Sequence, residues 1–114
     1  WQRPNSRTPR EIQEHLLLAG VAIPDTGNDD RSALLVTKTL LFSGEGAGMY
    51  GARWGGSLFR AHDKRSGKVV AEIELGQRQT GVPMTYAIGG QQYIVVATGA
   101  PGEAGQLVAL TVSQ

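Results

Sequence analysis

The sequence predicts an all-β protein, and three observations carry that expectation. Glycine occurs 16 times in 114 residues, roughly twice its ordinary share, which supplies many turns. Charged residues make up only 18% of the chain against 40% hydrophobic, so there is material for a core but little charge to clothe it. From Ala33 onward the apolar residues fall into short runs separated by Gly-rich stretches, the texture of strands and tight connections.

One helix signal precedes the strands. Thr8-Pro9-Arg10-Glu11 has the form of a capping box, with Thr8 as N-cap, Pro9 as first helical residue and Glu11 reaching back. Ile12, His15, Leu16 and Ala19 follow at helical spacing, and Gly20 is placed for a left-handed C-terminal cap. Asp25 to Asp30 is a polar, turn-rich loop. Leu34 to Thr37 and Thr39 to Phe42 bracket Lys38 as the strands of a tight hairpin. Gly44 to Gly56 is a long Gly-rich loop carrying Glu45, Tyr50, Arg53 and Trp54.

Ser57 to His62 and Lys68 to Leu75 form the next pair, joined by Asp63 to Gly67, whose closing Gly suits a type I turn with a bulge. Val69, Ala71, Ile73 and Leu75 alternate with Lys68, Val70, Glu72 and Glu74, which predicts one buried face and one mostly wet face. Val82 to Ile88 and Gln92 to Thr98 flank Gly89-Gly90-Gln91 as a further hairpin, and Leu107 to Val112 is the last strand.

The two sets of strands repeat. Thr39 to Gly44 has the pattern of Tyr93 to Gly99, a strand delivered into a Gly-rich loop, and Ser57 to His62 corresponds to Gln106 to Thr111. The spacing of about 50 residues is that of a four-stranded propeller blade. The chain divides into a helical lead-in and loop from a preceding blade (1–32), a four-stranded blade (33–76) and a last blade of three strands (77–114). A closed propeller commonly fills such a deficit with a strand from the other end of the chain, which removes the open edge. The expectation is therefore a fragment of a multi-bladed β-propeller, about two C-terminal blades with one short N-terminal helix. A start at Trp1, without an initiator Met or leader, agrees with that expectation.

Charge and composition narrow the function classes. A formal net charge of +1 offers nothing that favours nucleic acid or an anionic membrane surface. The absence of cysteine excludes disulfides and thiolate metal sites within these residues and leaves the compartment open. No apolar run approaches the length of a membrane span.

Particular motifs go further. Ala61-His62-Asp63-Lys64-Arg65-Ser66-Gly67-Lys68 resembles the A-x-D-x-x-[ST]-G-[KE] segment repeated through the propellers of dehydrogenases that use pyrroloquinoline quinone (PQQ). Pro83-Met84-Thr85-Tyr86 followed by Gly90-Gln91-Gln92-Tyr93-Ile94-Val95-Val96-Ala97 is similar to a signature near the C-terminus of membrane-bound glucose dehydrogenases. Leu35 to Phe42 with Gly44-Glu45-Gly46 resembles a subgroup of that family. The resemblance covers residues 33 to 112 and, more loosely, the lead-in. Two positions depart from it: Ala71 stands where the family often places a docking Trp, and Pro101 stands where a His near the quinone is usual.

The resemblance implies a PQQ held at the propeller axis with Ca²⁺, a carboxylate base, and hydride transfer from a sugar or alcohol substrate. It also implies a bacterial periplasmic parent, associated with the inner membrane and handing electrons to a membrane quinone or cytochrome. The remainder of the propeller would be this chain's structural partner, and the Ca²⁺ ligands and catalytic base would lie outside these residues. No catalytic base is nominated here.

Thr80, Gly81 and Pro83 precede an inner strand, where backbone faces the axis, and Trp54 has the flat ring to stack on a planar ligand. These four are the candidate cofactor-binding residues. Glu45 and Arg53 sit in the long loop, where contacts to a ligand or partner concentrate, although a solvated loop charge is the ordinary alternative. Other patterns carry no chemistry. Gly44-x-Gly46-x-Gly48 opens no helix and is no dinucleotide fingerprint. Asp25, Asn28, Asp29 and Asp30 lack the Gly and distal Glu of an EF-hand loop. His15 and His62 have no metal-ligand spacing, and no Ser/His/Asp grouping stands out.

Overall fold

The computed structural model describes residues 1–27, 32–45 and 55–111. They form two antiparallel sheets preceded by an N-terminal arm. In the first sheet, β1 (Leu34–Val36), β2 (Leu40–Gly44), β3 (Leu58–Asp63) and β4 (Val69–Glu74) lie in sequence order. Its first hairpin is closed by Thr37, whose amide and hydroxyl both donate to the Leu40 carbonyl, at 2.9 and 3.1 Å. The turn between β3 and β4 is organised by Asp63. Its Oδ1 accepts from the Ser66 amide and hydroxyl, both at 2.7 Å, and from the Arg65 amide at 3.1 Å. Gly67 then takes a left-handed φ of 69°, as the turn chemistry predicts, and a separate register shift falls farther along the hairpin, between Ala61 and His62, opposite Val70.

The second sheet is built around β7 (Gln91–Gly99). On one edge it pairs with both β5 (Arg78–Gln79) and β6 (Met84–Ile88), and on the other with β8 (Gln106–Thr111). β5 and β6 are thus one interrupted strand, and the sheet is three strands wide. The interruption spans residues 80–83, where the Thr80 amide still reaches the Ala97 carbonyl at 2.9 Å but Pro83 has no N–H to give. Ile88 and Gln91 pair across Gly89 and Gly90, whose φ values of 57° and 80° define the two-residue hairpin turn that needs glycine. The repeat seen in the sequence is a repeat of pairing, with β2–β3 and β7–β8 equivalent neighbours.

The core lies between the sheets. Phe42, Phe59 and Ala61 face Val96, and Leu35, Leu40, Ile73, Ile94, Val108 and Leu110 pack around them. The Phe42 and Phe59 rings stack at 5.9 Å. The opposite face of the first sheet carries Leu41, Ser43, Arg60 and His62, and the N-terminal arm crosses it. There Trp1 stacks on His62 at 6.2 Å, covers Gly67 and donates from Nε1 to the Lys64 carbonyl at 3.0 Å. A Cβ at Gly67 would meet the indole ring, so this glycine answers both the turn and the close approach.

Two expectations are corrected. The lead-in forms only one α-helical turn, α1 (Arg10–Gln13), and a 3₁₀ turn at Leu16–Leu18, and Pro9 rather than Thr8 precedes the helix. Thr8 is drawn away: its hydroxyl donates to the Pro24 carbonyl at 2.8 Å and accepts from the Thr26 amide at 3.0 Å. A tertiary contact has taken the cap, and the helix propagates no further because its apolar residues find no surface. Leu16 and Leu17 are 89% and 86% exposed. The alternating burial expected of Lys68 to Leu75 holds only in its second half, where Ile73 is half-buried and Leu75 buried between the exposed Glu72 and Glu74, whereas Val69 and Ala71 are exposed. As an outer strand β4 has a neighbour on one side only, and the second sheet reaches just part of its inner face.

Candidate functional site

At one end of the sheets the start of β1, the end of β2, the β5–β6 interruption and the end of β7 come together. Gln79 ties them. Its Oε1 accepts from the Gly44 amide at 2.7 Å, and its Nε2 donates to the Ala33 and Gly81 carbonyls, each at 2.8 Å. The side chain is buried, and its three hydrogen bonds engage both ends of the amide. Gln77 acts similarly on the outer side, accepting from the Thr98 hydroxyl at 3.3 Å and donating to Glu103 Oε2 at 2.8 Å. Apart from the local bond to Gly81, these bonds span 21 to 46 residues of sequence, and together they fix where the Thr80–Pro83 segment sits.

Within that segment the candidate residues differ in what they present. Thr80 is exposed, its amide is engaged with Ala97, and its methyl lies over Gly99. Gly81 is half-buried, its carbonyl accepts from Gln79, and a Cβ there would lie 3.3 Å from Ala97 Cβ. Pro83 is buried and has no donor. Trp54, like Arg53, falls outside the described residues. The structure thus brings Thr80, Gly81 and Pro83 to one strand interruption. Beside them Arg78 pairs with Gly99 across β5–β7, and its buried Nη1 has no hydrogen-bond partner among the described residues. Sequence reasoning passed over Arg78. The available signal was its i−2 position to Thr80, which in extended backbone places both side chains on one face.

Glu45 is not the solvated loop charge that its setting suggests. It is buried at the end of β2 and pairs with Arg60 Nη1 at 2.7 Å, while Arg60 Nε binds Glu72 at 2.6 Å. Burial opposes the Arg60 charge, but the bonds to Glu45 and Glu72 outweigh it and hold its pKa above the ordinary value. Gly56 is part of the same arrangement, because a Cβ there would run into Glu45 Oε2. A cleft of about 320 Å³ opens beside this pair, lined also by Ser6, Arg10 and Glu74. Pro101 lies exposed in the turn between β7 and β8. No cluster of metal-ligating side chains occurs among the described residues.

The Thr80–Pro83 segment thus presents backbone groups and the Thr80 hydroxyl beside the Arg78 guanidinium. Neither curated proteins nor solved structures give a match to the chain. A family profile does: "PQQ: Glucose/ethanol/alcohol dehydrogenase, beta-propeller domain" matches residues 1–94. Paired antiparallel sheets repeated at blade spacing are what that description requires. The chain belongs to the PQQ-type glucose/ethanol/alcohol dehydrogenase β-propeller family.

Proposed function

We propose that this chain forms two adjacent blades of a PQQ-dependent dehydrogenase of the membrane-bound glucose dehydrogenase group, oxidising a sugar or alcohol. The observation that carries the reading is the family match over residues 1–94, joined to two sheets of equivalent pairing. When bound, PQQ supplies the hydride acceptor, and the protein's part is binding and orientation. PQQ is a planar tricarboxylic quinone, and its polar groups want donors. The exposed Thr80 hydroxyl and the Arg78 guanidinium fit that need, and Gly81 leaves space for close approach. Pro83 shapes the bend and contributes no bond. Ca²⁺ and the carboxylate base belong to other parts of the propeller on this reading.

On this proposal the parent works in a bacterial periplasm, at the inner membrane, and passes electrons to a membrane quinone or cytochrome. Its remaining blades are the structural partner. The exposed outer face of the second sheet, with Met84 54% and Leu107 77% accessible, and the edge of β8, which has no strand partner among the described residues, are where they would join. A scaffold propeller without catalysis is the second reading, favoured by the exposed Pro101 on the loop where the resemblance expects a His. Reconstituting the full-length protein with PQQ and Ca²⁺ and assaying dye reduction with an aldose or polyol decides between them. Substrate-dependent reduction supports the dehydrogenase; PQQ uptake without turnover supports the scaffold.

A further inference from the structure

The net charge of +1 conceals an uneven distribution. The three lysines of the chain, Lys38, Lys64 and Lys68, fall on two neighbouring turns at one end of the first sheet, and Arg65 joins them. All four are exposed. Against them the turns, residues 37–39 and 63–68, hold a single carboxylate, Asp63. Its Oδ1 is turned onto the Ser66 amide and hydroxyl and the Arg65 amide, so it serves the turn. Glu45 and Glu74 stand at the opposite ends of β2 and β4, and Glu72 is taken by Arg60, so none of these offsets the cations locally.

The two turns are also tied to each other. The Lys64 amide donates to the Thr39 carbonyl at 2.9 Å, and its Nζ donates to the Thr37 carbonyl at 3.1 Å. From the arm, the Trp1 indole donates to the Lys64 carbonyl at 3.0 Å. The charges therefore sit on a fixed platform. Because the turns touch, their charges act together on an approaching partner, within the roughly 8 Å that physiological salt leaves unscreened. Lysine ammonium groups keep their hydration and suit contacts that form and release. Neither turn carries an aliphatic side chain to insert into lipid, whereas fixed cations match the fixed carboxylates of a folded partner. We infer that this end of the first sheet docks the acidic surface of another protein, through contacts that weaken with salt. The inference stands on the charge distribution and is independent of the bound cofactor.

The probe is a fluorescein-labelled peptide, Asp-Glu-Glu-Ala-Asp-Glu-Glu-Ala-Asp-Glu-Glu, titrated with the full-length protein and followed by anisotropy. Its Asn/Gln counterpart and vesicles of phosphatidylglycerol and phosphatidylcholine in equal parts are run beside it. Lys38→Glu with Arg65→Glu reverses the platform and spares Lys64, whose bonds join the turns. Arg7→Glu with Arg10→Glu makes the same change of net charge beside Glu74, at the opposite end. The expected result is binding of the acidic peptide that falls steeply with salt and is weakened on the order of tenfold or more by the Lys38/Arg65 pair. The Arg7/Arg10 pair should change it much less. Lys38→Gln with Arg65→Gln should give an intermediate loss, with unfolding midpoints close to that of the unmodified protein. Equal weakening by the two Glu pairs would overturn the inference, since net charge alone would then account for the binding. Equal binding of the Asn/Gln counterpart, or no binding of the acidic peptide, would overturn it as well. Vesicle binding abolished by the Lys38/Arg65 pair, in the absence of peptide binding, would replace the protein partner with a membrane surface.

Discussion

At the residue scale, Asp63 gives a pH test with a definite sign. The Ser66 hydroxyl, then the Ser66 amide, hold its carboxyl below the ordinary carboxylate value, and the Arg65 amide adds to this. A depressed folded pKa means the ionised form is favoured by folding. The stability it contributes is complete above the unfolded value of about 3.9 and is lost as pH falls through the lower folded value. In Asp63→Asn, thermal unfolding should therefore show its largest deficit near neutrality, shrinking steadily below about pH 4. A deficit independent of pH would refute the linkage. The Glu45–Arg60 pair makes a second prediction. Gly56→Ala should destabilise by about 2–4 kcal/mol, because the added methyl displaces a buried carboxylate from its cation. Chemical denaturation of Gly56→Ala beside Glu45→Gln measures it. Asp63 was legible in the sequence because its partners lie two and three residues away. The burial of Glu45 was not, since its partner is on the next strand and nothing local separates a paired loop carboxylate from a solvated one.

Elements follow the same division between local and distant causes. The hairpins at Lys38, Asp63 to Gly67 and Gly89-Gly90 were readable because turn chemistry fixes them within a few residues. The lead-in helix was over-read, since Thr8, a sound cap by pattern, is bonded instead to Pro24 and Thr26 across 16 and 18 residues. The site segment lies between these cases. Its place before an inner strand was visible, whereas the Gln79 tie that positions it crosses from one sheet to the other. Gln79→Ala should cost about 1–3 kcal/mol by leaving the Gly44 amide and the Ala33 and Gly81 carbonyls short of a partner. If the tie positions Thr80, the same change in the full-length protein should weaken PQQ retention in equilibrium dialysis more than an equally destabilising change at Phe59 does. Equal weakening would make Gln79 a stability residue only. For the arm, Gly67→Ala should cost about 1–2 kcal/mol from the left-handed backbone and lift the half-covered Trp1 ring off His62, seen as a change in indole emission intensity.

For the whole molecule, the repeat in the sequence was the strongest guide, because equivalent pairing of β2–β3 and β7–β8 demands equivalent patterns. The sequence could not show how unequally the two sheets are covered. The first is shielded by the arm on one face and by the second sheet on the other. The second has an outer face bearing Met84, Leu107 and the stacked Tyr86 and Tyr93, with β8 bare beside it. Such a face and edge favour association through strand pairing and apolar contact. The isolated chain should accordingly self-associate in a concentration-dependent way in sedimentation velocity. Ala109→Lys places a charge on an exposed position of β8, and Leu107→Lys removes an apolar contact at 77% exposure. Together they should shift the chain toward monomer while leaving its circular dichroism and unfolding midpoint nearly unchanged, since neither residue supports the inter-sheet core. Should the unmodified chain stay monomeric at all concentrations, the edge and face need no cover, and the joining surface proposed for the other blades would have to lie elsewhere. Should the variant still associate, the β8 edge would be excluded as the sticky surface, and the exposed Met84 and Ile88 of the second sheet and Leu16 and Leu17 of the arm would be the next positions to change.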